Sequence, residues 1–532
     1  PDGSIKSAIA EGMRYSYSYY ANGSLKGKSA SGKRLLSYEY DLNGNKIKQT
    51  DVTGKTTEYI YDELDQLLEI HDGGKCITAF KYNDDGTIKE AVSANGMKNL
   101  YGYDTDKNLT KLDIDFNGEV LAQNRYAYDS NGNRTIKQQL RGTTYYTYDS
   151  INQLINVKYP DYEEQLFYDK AGNRSKRIVN DVTEYYLYDK RNRLIRQVFQ
   201  QPTGTTAKHY IYDNAGNLMN DGERIYKNDA FNKVTRVETT NGQVQINRYD
   251  AEGLRYEMEE NKKLVQFIFN ENREVVVEKS TDKFKRLIRS YDLWASECEP
   301  EKTWYHYASD EQGSIVFITD DNKVCNRYDY DAWGNLITCE EIIPNRFLYT
   351  GQQFDQITQQ YYLRARYYNP VIARFTQEDV YRGDGLNLYT YCDNNPVVYY
   401  GPSGYACNPK LKNVYEKQQT LPGRRGAFRE AKRDLGIPVT QQPYALGRKT
   451  MSEPEYAGGH AIKDENGKII ETREYYFRKY NPKEDKYETY VIQDHSAGHE
   501  KGNQGPHFNV RPIENRRNGD VIGTKQHYPF KK

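Results

Sequence analysis

A Tyr-Asp pair that returns every 20 to 25 residues limits the larger part of this chain to a repeat architecture. It occurs at Tyr40-Asp41, Tyr61-Asp62, Tyr103-Asp104, Tyr128-Asp129, Tyr148-Asp149, Tyr168-Asp169, Tyr188-Asp189 and Tyr212-Asp213, with Tyr82-Asn83 filling the gap after Tyr61. Two residues before each tyrosine stands another aromatic or apolar residue, such as Tyr59, Phe80, Tyr126, Leu166 or Tyr210. Residues i and i+2 share one face of a strand, so this is strand periodicity. Turn formers follow the pair, as in Asn131-Gly132-Asn133 and Ala171-Gly172-Asn173, where Gly and Asn accept positive φ. Two strands of about six residues and two turns fill one period, so each unit is a β-hairpin.

Isolated hairpins are marginal in water, and a row of them leaves open edges unless the sheet coils or closes. One long spiralling sheet is therefore expected. The chain's 52 tyrosines, against 16 Phe and 3 Trp, suit a wall that buries the ring while the hydroxyl reaches a partner. The aspartates are expected to open turns rather than to perform chemistry.

The motif Tyr-Asp-x-x-Gly-Asn at this period resembles the YD-repeat family of Rhs and teneurin proteins, over about residues 14 to 404. That resemblance implies a mainly β fold in which the repeats wind into a hollow cocoon. The stretch Tyr362-Leu363-Arg364-Ala365-Arg366-Tyr367-Tyr368-Asn369-Pro370, then Gly385-Leu386-Asn387-Leu388-Tyr389 and Asn394-Asn395-Pro396, is similar to the Rhs core segment that plugs the shell. The expected domains are a shell over 1–340, a plug over 341–405 and a small α+β C-terminal domain over 406–532.

In relatives the plug serves as an aspartyl element that severs the C-terminal cargo after a second Asp-Pro-x-Gly motif. Here the first Asp-Pro reads Asp379-Val380, and the second reads Gly401-Pro402-Ser403-Gly404. Acid cleavage by paired carboxyls needs one protonated and one ionised. Gly401 supplies neither, which leaves Asp379 with Asp384 or Asp393 as the candidate pair, cutting near Tyr405.

Charge separates the last part from the rest. Residues 406–532 hold 24 Lys+Arg against 16 Asp+Glu in a chain whose formal charge is zero. They also hold His460, His495, His499, His507 and His527, five of the eight histidines. A basic, histidine-bearing segment suits a polyanionic substrate. Lys486–Gln493 alternates as a strand that delivers Asp494-His495 to an edge, with Glu471–Arg478 as its hairpin partner across Asn481-Pro482. Arg424, Arg425, Arg429, Lys432 and Arg433 have helical spacing around Phe428, Ala431 and Leu435, either as a solvated face or as contacts to a phosphate backbone, which Arg511 could join.

Metal-assisted phosphodiester hydrolysis needs one histidine as base and carboxylate, amide or imidazole ligands nearby. Asp494 beside His495 has that composition, His507 and Asn509 can share a face two residues apart, and His499-Glu500 is a further ligand or base pair. The blocks Gln493–Glu500 and Gly505–Pro512 resemble HNH/endonuclease VII-like toxin domains, which occur as C-terminal cargo of Rhs-type toxins. That resemblance implies Gly498, His499 and Glu500 as a signature, accompanied by His495 and His507; an Asp-His pair favours His495 as base, the signature favours His499. It further implies a divalent metal (Mg²⁺ first, with Zn²⁺ or Mn²⁺ as alternatives), nucleic acid as substrate, a cognate immunity protein, a delivery machinery, and a secreted or cell-surface protein whose toxin acts in the target-cell cytoplasm.

A second reading is a cell-surface adhesion or carbohydrate-binding protein whose tail is inert. A third reading, a toxin with zinc-deaminase chemistry, is disfavoured, because that chemistry uses Pro-Cys-x-x-Cys and the tail holds only Cys407. Six scattered cysteines without Cys-x-x-Cys spacing oppose a zinc ribbon or disulfide scaffold. No apolar run approaches the roughly 18 residues a membrane helix needs. The chain starts at Pro1 and is read as a piece of a longer or processed protein.

Overall fold

The computed structural model describes residues 5–10, 13–281, 283–380, 387–405, 408–409, 428, 431–432, 435, 443–450, 471–481, 486–495, 507–513 and 528–529. The chain divides into two compact units, one of Pro1–Glu39 with Lys46–Tyr415 and one of Tyr40–Asn45 with Glu416–Lys532.

In the first unit, hairpins follow one another as antiparallel meanders. Among the described residues they make a 20-stranded sheet from Ser7 to His209 and a 14-stranded sheet from Ile211 to Glu341. The expected single sheet is thus two. The break at Tyr210 falls in a long repeat of 24 residues, and just beyond it the Leu218 N–H pairs with the Thr376 carbonyl of the closing segment.

Each Tyr-Asp pair does two mechanical jobs. The register slips by one residue at the tyrosine, as between Ala127 and Tyr128, Thr147 and Tyr148, and Phe167 and Tyr168. Such a bulge bends and twists the strand. The Asp129 carboxylate then accepts the N–H groups of Asn131 and Asn133 at 2.9 and 2.8 Å, and its second oxygen takes the Asn133 amide at 3.0 Å. Asp169 and Asp213 bind Asn173 and Asn217 in the same way. These aspartates open turns, as the sequence suggested. In four successive repeats the tyrosine hydroxyl reaches back one hairpin, Tyr128 to the Leu109 carbonyl, Tyr148 to Arg134, Tyr168 to Leu154 and Tyr188 to Arg174, all at 2.6 to 2.8 Å, whereas those of Tyr103 and Tyr212 are buried without a hydrogen-bond partner among the described residues. The aromatic two residues earlier is buried, as at Tyr59, Phe80, Tyr126 and Tyr186.

The second sheet advances along the first, so the chain winds over itself. Tyr15 donates to Asp250, Arg286 binds Asp51 and Asp72, and the Tyr59 hydroxyl meets the Arg289 carbonyl. Further on, Asn95 meets Thr319, Tyr126 meets Glu311, and the Tyr159 hydroxyl accepts the Ala332 N–H. The sequence separation of the partners falls from 235 residues at Tyr15 to 173 at Tyr159.

The closing segment hydrogen-bonds a row of repeat turns. Asn395 binds Asn133 and the Asn152 carbonyl, Asn394 binds Gly172, Asn387 binds Asn173, Arg374 binds Asn192, Tyr389 binds Gly216 and Gln377 binds Asn232. It is also anchored in the core, where Asp355 and Arg255 are both fully buried and paired through two N–H···O bonds, with Gln245 donating to Asp355 at 2.7 Å. Removing one partner of such a pair leaves an uncompensated buried charge.

Two outcomes follow from this packing. Asp355→Ala should destabilise the unit by about 3–5 kcal/mol, read as a lower denaturant midpoint for loss of tertiary signal. His306 is fully buried, neither ring nitrogen has a hydrogen-bond partner among the described residues, and burial pushes it down to about 4 from an ordinary 6.5. The unfolded chain therefore takes up a proton that the folded chain refuses. This residue's contribution is whole above about pH 6.5 and shrinks as pH falls towards 4, by about 3 kcal/mol in all. Urea titrations at about pH 7 and about pH 5 should show a larger loss for the native chain than for His306→Gln.

Candidate functional site

The second unit is built on a five-stranded antiparallel sheet of Ala445–Thr450, Glu471–Asn481, Lys486–His495, His507–Pro512 and Tyr528–Pro529, in that spatial order. The expected hairpin is present, with Asn481 opposite Lys486. Strand alternation sorts the residues onto two faces. One face carries Tyr475, Phe477, Ile492, Phe508 and Val510, and packs against the helical Phe428 and Ala431 and against Leu435; the Phe428 ring lies 4.7 Å from Tyr475 and 5.1 Å from Phe508. This is the domain's core.

The opposite face is polar. Glu474, Gln493 and Asn509 sit opposite one another across three strands, all buried. The Gln493 amide donates to Glu474 at 2.8 Å, and the Tyr476 hydroxyl donates to its other oxygen at 2.6 Å. A charge in such a place is tolerated because each of its oxygens accepts a hydrogen bond. One row along, His495 and His507 are register partners. One row the other way, the buried Arg511 opposes Val491, and the exposed Arg478 belongs to the same face by alternation.

Three expectations change. Asp494 opposes Phe508 on the core side, so it does not share a face with Asn509 or His507; neighbouring strand residues point to opposite sides. Lys432 is buried with its ammonium 5.1 Å from the Phe477 ring and 5.8 Å from Phe428, so it lines the core instead of meeting phosphate. Glu474, Gln493 and Arg478 were missed, although the alternation in Glu471–Arg478 already put Glu474, Tyr476 and Arg478 on one face. His499, Glu500, Arg424, Arg425, Arg429 and Arg433 lie outside the described residues. Imidazole, amide and carboxylate are donor types that divalent cations accept, and His507 and Asn509 on one strand, with Glu474 on the strand beyond Gln493, supply those residue types.

At the junction after the shell, Asp379 is buried and pairs with Arg366 at 2.6 Å. The same guanidinium donates to the carbonyls of Gly404 at 2.5 Å, Tyr405 at 3.1 Å and Leu388 at 3.0 Å. Asp379 is therefore one side chain away from the Tyr405 carbonyl. Asp393 is exposed at positive φ in the turn Cys392–Asn394, and Asp384 lies outside the described residues. Gly404 has φ +72°, and a Cβ there would meet the Leu363 carbonyl oxygen at 2.5 Å, so only glycine closes this turn.

Comparison with known proteins bears on both units. Residues 40–75 match the RHS repeat, residues 133–397 the teneurin YD-shell, and residues 461–530 the HNH/Endo VII superfamily nuclease toxins. The chain is a YD-repeat protein with a nuclease-toxin domain of the HNH/Endo VII superfamily. It is 28% identical over 371 residues to the tRNA nuclease WapA of Bacillus subtilis, which covers 66% of this chain and 16% of that protein. It is 30% identical over 394 residues to the tRNA(Glu)-specific nuclease WapA of Bacillus subtilis subsp. natto, covering 69% and 16%. The chain thus spans about a sixth of the length of these relatives. Human teneurin-4 is 29% identical over 126 residues, 24% of this chain and 4% of that one. The fold is that of the TcdB2-TccC3-Cdc42 crystal structure, with a TM-score of 0.59 at 17% identity over 74% of this chain and 24% of that one. No helix among the described residues is long and apolar enough to cross a membrane.

Proposed function

We propose that this chain is part of a secreted polymorphic toxin, in which the YD-repeat shell sequesters a metal-dependent nuclease over residues 406–532 until delivery into the cytoplasm of a competitor cell. A cognate immunity protein protects the producer. The observation that carries the reading is the register opposing His495 to His507, inside the stretch matched to nuclease toxins.

His495 takes the proton from the attacking water, and His507 and Asn509 with Glu474 hold a divalent metal, Mg²⁺ first and Zn²⁺ or Mn²⁺ otherwise. When bound, that ion polarises the phosphate and stabilises the leaving oxygen. Arg511 and Arg478, on the same face, orient the phosphodiester. Gln493 and Tyr476 hold Glu474 in place, which fixes a carboxylate that would otherwise reorient. His499 and Glu500 keep their expected role as ligand or base. The substrate is DNA or RNA, and a tRNA substrate, as printed for the WapA relatives, is the first to try.

Purified residues 406–532 should degrade nucleic acid with Mg²⁺, lose that activity in EDTA, and lose at least about 100-fold in His495→Ala. Degradation that persists in EDTA would reject the metal role. We also propose that Asp379 and Arg366 cut the chain after Tyr405, since Arg366 binds both the Asp379 carboxylate and the Tyr405 carbonyl. Intact-mass measurement should show the 62.1 kDa chain converting to two fragments, and remaining whole in Asp379→Asn; a native chain that stays whole after long incubation rejects this step.

A further inference from the structure

Glu69, His71 and Cys76 come together on the hairpin of Leu67–Asp72 and Lys75–Tyr82, with one ligand atom from each within 4.8 Å of the other two. None of them belongs to a Tyr-Asp pair or to the closing segment. A slip in register creates the cluster. Ile70 opposes Thr78, but a bulge between Ile70 and His71 sets His71 opposite Cys76 instead of Ile77. Ile77 is fully buried in the core, whereas Cys76 is half-buried. The slip therefore exchanges an aliphatic neighbour for a thiol. Glu69, two residues before His71, shares its face, and its carboxylate lies 2.6 Å from the His71 Nε2. On the other flank Glu58 opposes His71 from the strand Thr56–Tyr61, with its carboxylate half-exposed and 3.2 Å from Lys48.

Thiolate, imidazole and carboxylate are the ligand types that Zn²⁺ prefers. In a tetrahedral site with bonds of about 2.0–2.3 Å, ligand atoms stand about 3.5 Å apart, so this cluster closes on an ion by side-chain rotation alone. We propose that Glu69, His71 and Cys76 form a zinc site on the shell, with Glu58 or a water in the fourth position. The two anionic ligands balance the dication. Burial and the Glu69 carboxylate push the Cys76 thiol up, so uptake expels the thiol proton as the Zn–S bond forms. The ion ties neighbouring strands at a bulge, where the backbone ladder itself is interrupted.

The test uses Co²⁺ as a spectroscopic stand-in on the full chain. A cobalt–thiolate charge-transfer band should appear, titrate to one equivalent and be displaced by Zn²⁺. It should vanish in Cys76→Ser and weaken at least about tenfold in His71→Ala. It should persist in Cys339→Ser, which removes an exposed thiol elsewhere, and in His495→Ala, because the proposed nuclease ligands include no thiol. Without any substitution, Zn²⁺ should protect Cys76 from alkylation and a chelator should restore labelling. Absence of the band in the native chain, its survival in Cys76→Ser, or labelling of Cys76 indifferent to Zn²⁺ overturns the proposal.

Discussion

The turn opened by an aspartate and hooked by the neighbouring tyrosine is the interaction on which the shell depends. A sheet of many strands has no reason to keep its register or curve unless each hairpin is pinned. Here the bulge at the tyrosine bends the strand, the carboxylate consumes two backbone N–H groups of the turn, and the phenol ties the strand to a carbonyl 14 to 19 residues earlier. None of these is worth more than about 1–2 kcal/mol alone. Repeated along the chain, they set a constant bend, and a constant bend is what brings Asp250 round to Tyr15 and Arg286 to Asp51 and Asp72.

The same turns give the closing segment something regular to read. Asparagine closes several of the turns, as at Asn133, Asn173 and Asn217, so amide and carbonyl groups recur along the row, and Asn387, Asn394 and Asn395 bind there. Asparagine suits both sides because one amide offers donors and an acceptor. The buried Arg255–Asp355 pair then fixes the segment from the other side, with Gln245 donating to Asp355 and the Gln353 side-chain oxygen accepting from Arg255.

Much of this was legible in the sequence because it is local. Period, strand parity, turn chemistry and the hairpin across Asn481 need only neighbours within about twenty residues. What was not legible depends on partners far away or on a slip of one residue. Asn395 finds Asn133 across 262 positions. Lys432 looked solvent-facing because charge is counted per residue, while its direction depends on a helix packing against Phe477. Asp494 and His495 read as a pair in sequence, yet a strand sends them to opposite faces. The trio of Glu69, His71 and Cys76 has no recognisable spacing, since only the bulge sets the thiol against the imidazole.

At the junction, glycine stands at position 401, where the Rhs resemblance implies an aspartate. The Gly401–Gly404 turn is still formed, and Arg366 still gathers the carbonyls of Gly404, Tyr405 and Leu388 around a buried Asp379. Positive charge beside a peptide carbonyl stabilises the oxyanion that forms when that carbonyl is attacked, so Arg366 would support the proposed cleavage whatever stands at 401. A guanidinium can polarise the carbonyl but cannot donate the proton that the leaving amine requires, because arginine stays protonated throughout. In the cleavage proposed above, Asp379, the only buried carboxyl at the junction among the described residues, would serve first as base for water and then as acid for the amine. One carboxyl can do both in sequence, as in other hydrolases where a single group changes role between steps. Gly401 in place of aspartate would then slow the reaction without abolishing it.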